Sequence, residues 1–237
     1  MPMNVLAFET STEACSVALH TGGQVIERFE LAPRRHAELA LPWAEALLAE
    51  AGLTRAQLHA VAVGRGPGAF TGVRLAIGIA QGIALALDLP VLPVSTLQVL
   101  ALRAPADATH VLASIDARMG EVYAGAFIRE AGQWHALDAE RVLSPSSVAL
   151  PDAQAHWHGV GTGFAAAEEI LAQRLASQLR AVDAQALPHA ADVLALALPR
   201  LAAGQGVAAD RLEPAYLRNE VALTLEQQKA AKAQRQP

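Results

Sequence analysis

Gly64-Arg65-Gly66-Pro67-Gly68-Ala69-Phe70-Thr71-Gly72 joins an apolar run, Leu58 to Val63, to a small-residue segment, Val73 to Asp88. The first reads as a buried strand and the second as a helix. Glycines admit positive φ and let another group approach the backbone closely. A strand, a glycine turn and a helix N-terminus together make a common anion-holding device. Three readings are open at this point: the loop holds a phosphate, holds a partner, or only turns tightly with Thr71 as helix N-cap.

The common nucleotide signatures are not met. A P-loop needs Lys and Ser/Thr after its last glycine, and here Val73 and Arg74 follow Gly72. The dinucleotide pattern fails because Gly64, Gly66 and Gly68 alternate and position 69 is alanine.

Outward from the loop, Met3 to Phe8, Ala14 to His20 and Gln24 to Leu31 read as a meander of two hairpins, with polar turns at Glu9–Glu13 and Thr21–Gly23. His36 to Ala51 has helical apolar spacing and stops at Gly52. After the glycine loop and its helix comes strand Val91–Val94. Strands are expected at Val111–Ile115, Glu121–Ile128, Trp134–Val142 and Trp157–Val160. Ser144–Ser147 caps a short helix, and longer helices are expected at Ala165–Ala176 and Ala190–Ala203. Gly159 to Gly163 is a second glycine loop before a helix, so the two halves repeat one plan of hairpins, glycine turn and helix. The divide falls at Leu102–Thr109: residues 1–104 form one lobe, 105–221 a second, and 222–237 a loose polar tail. The class is α/β with mixed sheets.

At 237 residues the chain can bury one large core or two lobes, built mostly from Ala, Leu and Val because only 4% of residues are aromatic. A net charge of −5 argues against gripping nucleic acid unaided. The single cysteine, Cys15, excludes an internal disulfide, fits a reducing cytosol and reads as a buried small hydrophobe. Met1 to Ala7 has no basic leader, and Leu75 to Leu87 is shorter than the roughly 20 residues a bilayer requires. No membrane role and a cytoplasmic location are expected.

Four blocks together resemble the bacterial TsaB (YeaZ) family. They are Phe8–Leu19 (FETSTEACSVAL), Gly66–Arg74 with Ala80-Gln81-Gly82, Asp116–Tyr123 (DARMGEVY) and Glu213–Asn219 (EPAYLRN). The resemblance implies the actin-like ATPase (ASKHA, ribonuclease H-like) fold: two lobes, each a mixed sheet flanked by helices. It implies a non-catalytic subunit that binds TsaD, together with the ATPase TsaE, for threonylcarbamoyl transfer to N6 of the adenosine beside the tRNA anticodon. A homodimer is implied when TsaD is absent. Contact with tRNA would come only through the complex. The chain would need no cofactor of its own, with ATP or ADP placed at the partner interface. In the family, the two helices flanking the glycine loop form the partner bundle, which carries over to Leu39, Trp43, Leu47, Val73, Arg74, Ile77 and Gln81.

Against TsaD-like chains, the positions of the two metal-binding imidazoles hold Thr96 and Leu100, which cannot replace them. No metal site is expected. A vestigial nucleotide site would use Glu9, Thr10, Ser11 and Thr12, where no glycine follows the acidic residue, and Gly159, Gly161 and Gly163 in the second loop. The eight histidines read as solvated or hydrogen-bonded, and Glu38 and Glu45 as a solvated helix face. An independent actin-fold ATPase or small-molecule kinase is the alternative. A glycoprotease lacks a recognisable nucleophile and base.

Overall fold

The computed structural model describes residues 3–218; the expected tail at 222–237 lies outside them. The chain builds two sheets in succession. Strands β1 (Val5–Glu9), β2 (Ala14–Thr21), β3 (Gln24–Leu31), β4 (Ala60–Gly64) and β5 (Val91–Val94) make the first, in the order β3-β2-β1-β4-β5. The meander pairs antiparallel, whereas β4 and β5 run parallel to β1. The second sheet has β6 (His110–Arg118), β7 (Glu121–Glu130), β8 (Gln133–Ala136), β9 (Arg141–Leu143), β10 (Trp157–Val160) and β11 (Leu179–Asp183). Its order is β11-β10-β6-β7-β8, with β9 also on β7. Read from β8, that is the first sheet's plan again: an antiparallel meander, then two parallel strands beside its first member. This is the two-lobed actin-like arrangement.

Alternation along the first sheet decides what packs where. Leu6, Phe8, Val17, Leu19, Val61 and Val63 face helices α1 (His36–Glu50) and α2 (Phe70–Leu87). The opposite registers are smaller: Ala7, Ala18, Ala60 and Ala62, with Val5, face helix α5 (Ala190–Ala202). In sequence α5 follows the second sheet, yet it packs on the first. Short helix α3 (Thr96–Ala101) bridges, with Val99 in the first sheet's core and Leu97 and Leu100 in the second's.

Several sequence expectations are corrected. Helix α2 begins at Phe70, and its N-cap position is Ala69, with no side-chain cap. Thr71 lies inside the first turn because Ser11 O already holds the Ala69 amide at 2.7 Å. The helix is therefore 18 residues long, enough by length and composition to cross a membrane. Its Val73, Ala76, Ile77, Ala80 and Ala84 face is instead built into the core. The single strand expected at Trp134–Val142 is two strands, β8 and β9, meeting different parts of β7. The helix expected at Ala165–Ala176 shrinks to α4 (Ile170–Leu175), because Ala167, Glu168 and Glu169 all take positive φ and break it. Strand β11 has no counterpart in the sequence reading. Its residues are half-buried or exposed, without the alternation that marks a buried face.

Candidate functional site

The glycine loop closes over the β1–β2 turn of its own chain. A Cβ on Gly64 would stand 1.9 Å from Glu9 Oε2; one on Gly68, 2.3 Å from Ser11 O; and one on Gly72, 1.9 Å from Thr10 O. These glycines therefore make room for Glu9–Ser11. The Thr10 hydroxyl donates to Gly72 O at 2.7 Å, tying the turn to the helix start.

Glu9, Thr10, Ser11 and Thr12 are all buried. Glu9 Oε1 accepts from the Ser11 amide at 2.8 Å and from the Ser11 hydroxyl at 2.5 Å, and Oε2 accepts from the Thr96 hydroxyl at 3.2 Å. Burial pushes the Glu9 carboxyl above its ordinary range, with those hydrogen bonds opposing. The second loop is closed in the same manner. A Cβ on Gly161 (φ +106°) would lie 2.3 Å from Ser114 O, one on Gly163 2.0 Å from Ser114 Oγ, and one on Gly159 2.6 Å from the Phe164 ring. The residues expected as a vestigial nucleotide site are thus packed against other parts of the chain itself.

Thr96 and Leu100, where the resemblance would put the two imidazoles of TsaD-like chains, serve this packing. Thr96 holds Glu9, and the Leu100 side chain lies against Gly161. Among the described residues no three His, Cys, Asp or Glu side chains gather as a metal site.

One Ser, Glu and His constellation does occur. Glu27 accepts from the Ser16 hydroxyl at 2.7 Å and the Ala191 amide at 3.0 Å, and lies 3.1 Å from His189 Nδ1. The His189 ring stacks on Phe29 with centroids 4.0 Å apart. Hydrogen bonding to these partners holds the Glu27 carboxyl below its ordinary range against burial, which raises it. Ser16 is fully buried and donates to the carboxylate rather than to the imidazole. A serine nucleophile needs the imidazole beside it. This cluster fastens the start of α5 to β2 and β3. His158 departs from the expected histidine pattern: it is buried, its Nδ1 has no partner among the described residues, and burial holds its pKa down.

The residues expected to meet a partner divide in two. Leu47 (1% exposed), Val73 and Ile77 (5% each) belong to the chain's own core. Their place on helices α1 and α2 was legible, but the face they occupy was not. Leu39, Trp43, Arg74 and Gln81 are half-buried at the margin. Arg74 is committed as well: its guanidinium lies 3.3 Å from the Phe70 ring centroid and donates to the Tyr216 hydroxyl at 2.7 Å. Gln81 donates to Ala209 O at 3.0 Å and to Leu212 O at 3.3 Å.

The small residues of α2 stand out in the sequence, but the seven residues expected to meet a partner leave out its outward stripe. Phe70 and Leu85 are each 67% exposed, Leu41 of the adjacent α1 is also exposed, and Ala86 lies beside Leu85. Between Phe70 and Leu85, Gly78 and Gly82 are exposed, and a Cβ on either would meet nothing within 4 Å. Glycine within a helix costs about 0.5–1 kcal/mol relative to alanine. Among the described residues, no close neighbour compensates for it at these two positions. The signal was present as glycines four residues apart with apolar neighbours.

Comparison with known proteins is consistent with the fold. Residues 25–225 match the family model described as TsaD: tRNA N6-adenosine threonylcarbamoyltransferase. The Escherichia coli (strain K12) tRNA threonylcarbamoyladenosine biosynthesis protein TsaB is 46% identical, across 93% of this chain and 96% of that protein. The Haemophilus influenzae protein of the same name is 41% identical, across 92% and 95%. The structure of YeaZ from Pseudomonas aeruginosa superposes with a TM-score of 0.83 at 46% identity, covering 91% of this chain and all of that one. The chain belongs to the TsaB (YeaZ) family.

Proposed function

We propose that the chain takes part in tRNA threonylcarbamoyladenosine biosynthesis, the role carried in its relatives' names, as a non-catalytic scaffold. In this reading it binds TsaD, together with TsaE, in the cytoplasm. It favours the TsaD state that transfers threonylcarbamoyl to N6 of the adenosine beside the anticodon. Such a subunit acts by binding one state of its partner better than another. It needs no cofactor of its own, and without TsaD it pairs with a second copy.

The observation that carries this reading is the outward stripe of α2. Two helix glycines with open space outside, between two exposed large apolar side chains, suit the close approach of another helix. The closed glycine loops support the same view, since the groups that grip phosphate in related folds are spent on internal contacts.

Leu85→Asp tests it. Leu85 is 67% exposed, so the melting temperature should stay near wild type, whereas co-purification with TsaD from the same organism should be lost. Nucleoside analysis of cells relying on the variant should show depleted threonylcarbamoyladenosine. Full modification in cells whose folded variant no longer binds TsaD would refute the scaffold role. Leu47→Asp and Ile77→Asp are unsuitable probes because each buries a charge in the core.

A further inference from the structure

A cavity of about 400 Å³ opens where the parallel strands of the first sheet end. Arg65 follows the last residue of β4, and Ser95 follows the last residue of β5. The region beyond the carboxyl ends of parallel strands is where open α/β sheets hold their ligands. Arg200 reaches the cavity from the end of α5, and Arg211 from the segment that crosses back over the sheet. Three arginines from three separated stretches of chain thus line one space.

Among the described residues none of the three has a carboxylate within 4 Å, although seven other arginines do. The acidic groups nearby are Glu213, which lines the cavity, and Glu140, which accepts from the Ser95 hydroxyl and feels the charge of Arg65. Burial raises the Glu140 pKa, so this carboxyl is weakened as a counterion. Burial, and then the charge of Arg65, lower the Arg200 pKa, the mark of two cations held close together.

The rest of the wall suits a polar ligand. Gln98 and Ser95 line the cavity too, with the Gln98 amide donating to Trp134 O at 2.8 Å and the Ser95 hydroxyl to Glu140, and Pro93 and Val207 supply the apolar part. Arg200 Nη1 donates to Pro93 O at 2.5 Å, which fixes the guanidinium at the cavity wall. The Arg65 backbone is pinned on both sides: its amide donates to Val94 O at 2.8 Å, and its carbonyl accepts from the Ala215 amide at 2.9 Å. Guanidinium groups placed in this way match the oxygens of a phosphate.

We propose that Arg65, Arg200 and Arg211 form an oxyanion pocket that takes the phosphate group of a small ligand. The pocket takes Arg65 from the first glycine loop but none of that loop's glycines, and it does not depend on the partner-binding role of α2. The volume leaves room for more than one phosphate, so pyrophosphate is the suitable probe.

The test titrates pyrophosphate into the full chain by calorimetry, with ionic strength held constant by sodium chloride. Saturable binding is expected, together with a rise in melting temperature that matched chloride does not give. Arg65→Gln and Arg200→Gln should each weaken binding roughly tenfold or more, as loss of a charge-assisted contact does. Arg55→Gln, which removes an exposed partner of Glu45, should bind as wild type. Arg65 makes no side-chain hydrogen bond among the described residues, so that variant decides the matter even if Arg200→Gln fails to fold. Unchanged binding by Arg65→Gln, or no saturation up to about 10 mM, would overturn the assignment. So would a pocket that ignores pyrophosphate yet holds a short oligoribonucleotide through the same arginines.

Discussion

Replacing Gly78 and Gly82 together by alanine should make the isolated chain more stable and a worse partner. Neither new Cβ meets an atom within 4 Å, so the change acts through helix propensity alone. Each substitution is worth about 0.5–1 kcal/mol, chiefly from the freedom the unfolded chain loses. The pair should contribute about 1–2 kcal/mol. For a chain of this size that raises the melting temperature by about 2–8 °C. If another helix packs on the stripe, two methyl groups now stand in the contact. Overfilling a packed contact costs about 1–3 kcal/mol per site. Binding to TsaD should therefore weaken by roughly thirtyfold or more. Gly72→Ala in the same helix is the control of opposite sign, because its Cβ would sit 1.9 Å from Thr10 O. That variant should lose more than about 2 kcal/mol in urea denaturation. Thermal melts and calorimetric titration with the partner read both effects. A double variant that is stabilised yet binds TsaD with unaltered affinity refutes the helix contact. One that is destabilised refutes the claim that these glycines face open space.

Glu9→Gln should change how stability depends on pH. The Glu9 carboxyl is raised above its ordinary 4.5 by burial, so the folded chain binds more protons than the unfolded one above that value, and stability falls as pH rises through the raised range. The glutamine variant lacks this slope. Urea midpoints across pH 4.5 and above should show wild type losing ground to the variant, and a flat difference would contradict the buried carboxyl. Gly161→Ala places a Cβ 2.3 Å from Ser114 O at φ +106°. It should cost more than about 2 kcal/mol by chemical denaturation, and a loss below about 0.5 kcal/mol would show that the second loop is looser than described here.

The elements built on periodicity were legible in the sequence. Strands β3, β5 and β10 and the start of α5 fall where alternation, apolar runs and stop residues place them. The repeated plan of the two halves was legible too, because each glycine loop follows a parallel strand. Tertiary choices were not. Nothing local says that small residues at Ala7, Ala18, Ala60 and Ala62 await a helix arriving from beyond residue 189. Glu168 and Glu169 are good helix formers, yet the backbone takes positive φ at both. At the candidate site the residue types were right and their neighbours unknowable. A glycine that admits a phosphate and one that admits the Thr10 carbonyl look the same in sequence. Leu47 and Ile77 show the same limit, since helical spacing gives a face and not the direction in which it points.

That ambiguity also decides how the kinase or ATPase reading should fare. For a nucleotide to reach Glu9–Thr12, the glycine loop must lift away from the turn. The lift breaks Thr10 Oγ1 to Gly72 O at 2.7 Å, Ala69 N to Ser11 O at 2.7 Å and Thr96 N to Gly66 O at 2.9 Å. At about 1 kcal/mol each, these contacts hold the open form near one part in a hundred. Apparent affinity falls by the same factor, so an intrinsically micromolar site would read at about 0.1 mM. The carboxyl that would orient Mg²⁺ is meanwhile buried, which raises its pKa and disfavours the charged form. Calorimetry on the isolated chain should therefore find ATP binding no tighter than about 0.1 mM, without turnover. Submicromolar binding with hydrolysis would show that the turn opens far more readily than its contacts imply. A weak heat that Arg65→Gln removes would come instead from the arginine cavity, because Arg65 lines that space while Gly64 and Gly68 pack on the turn.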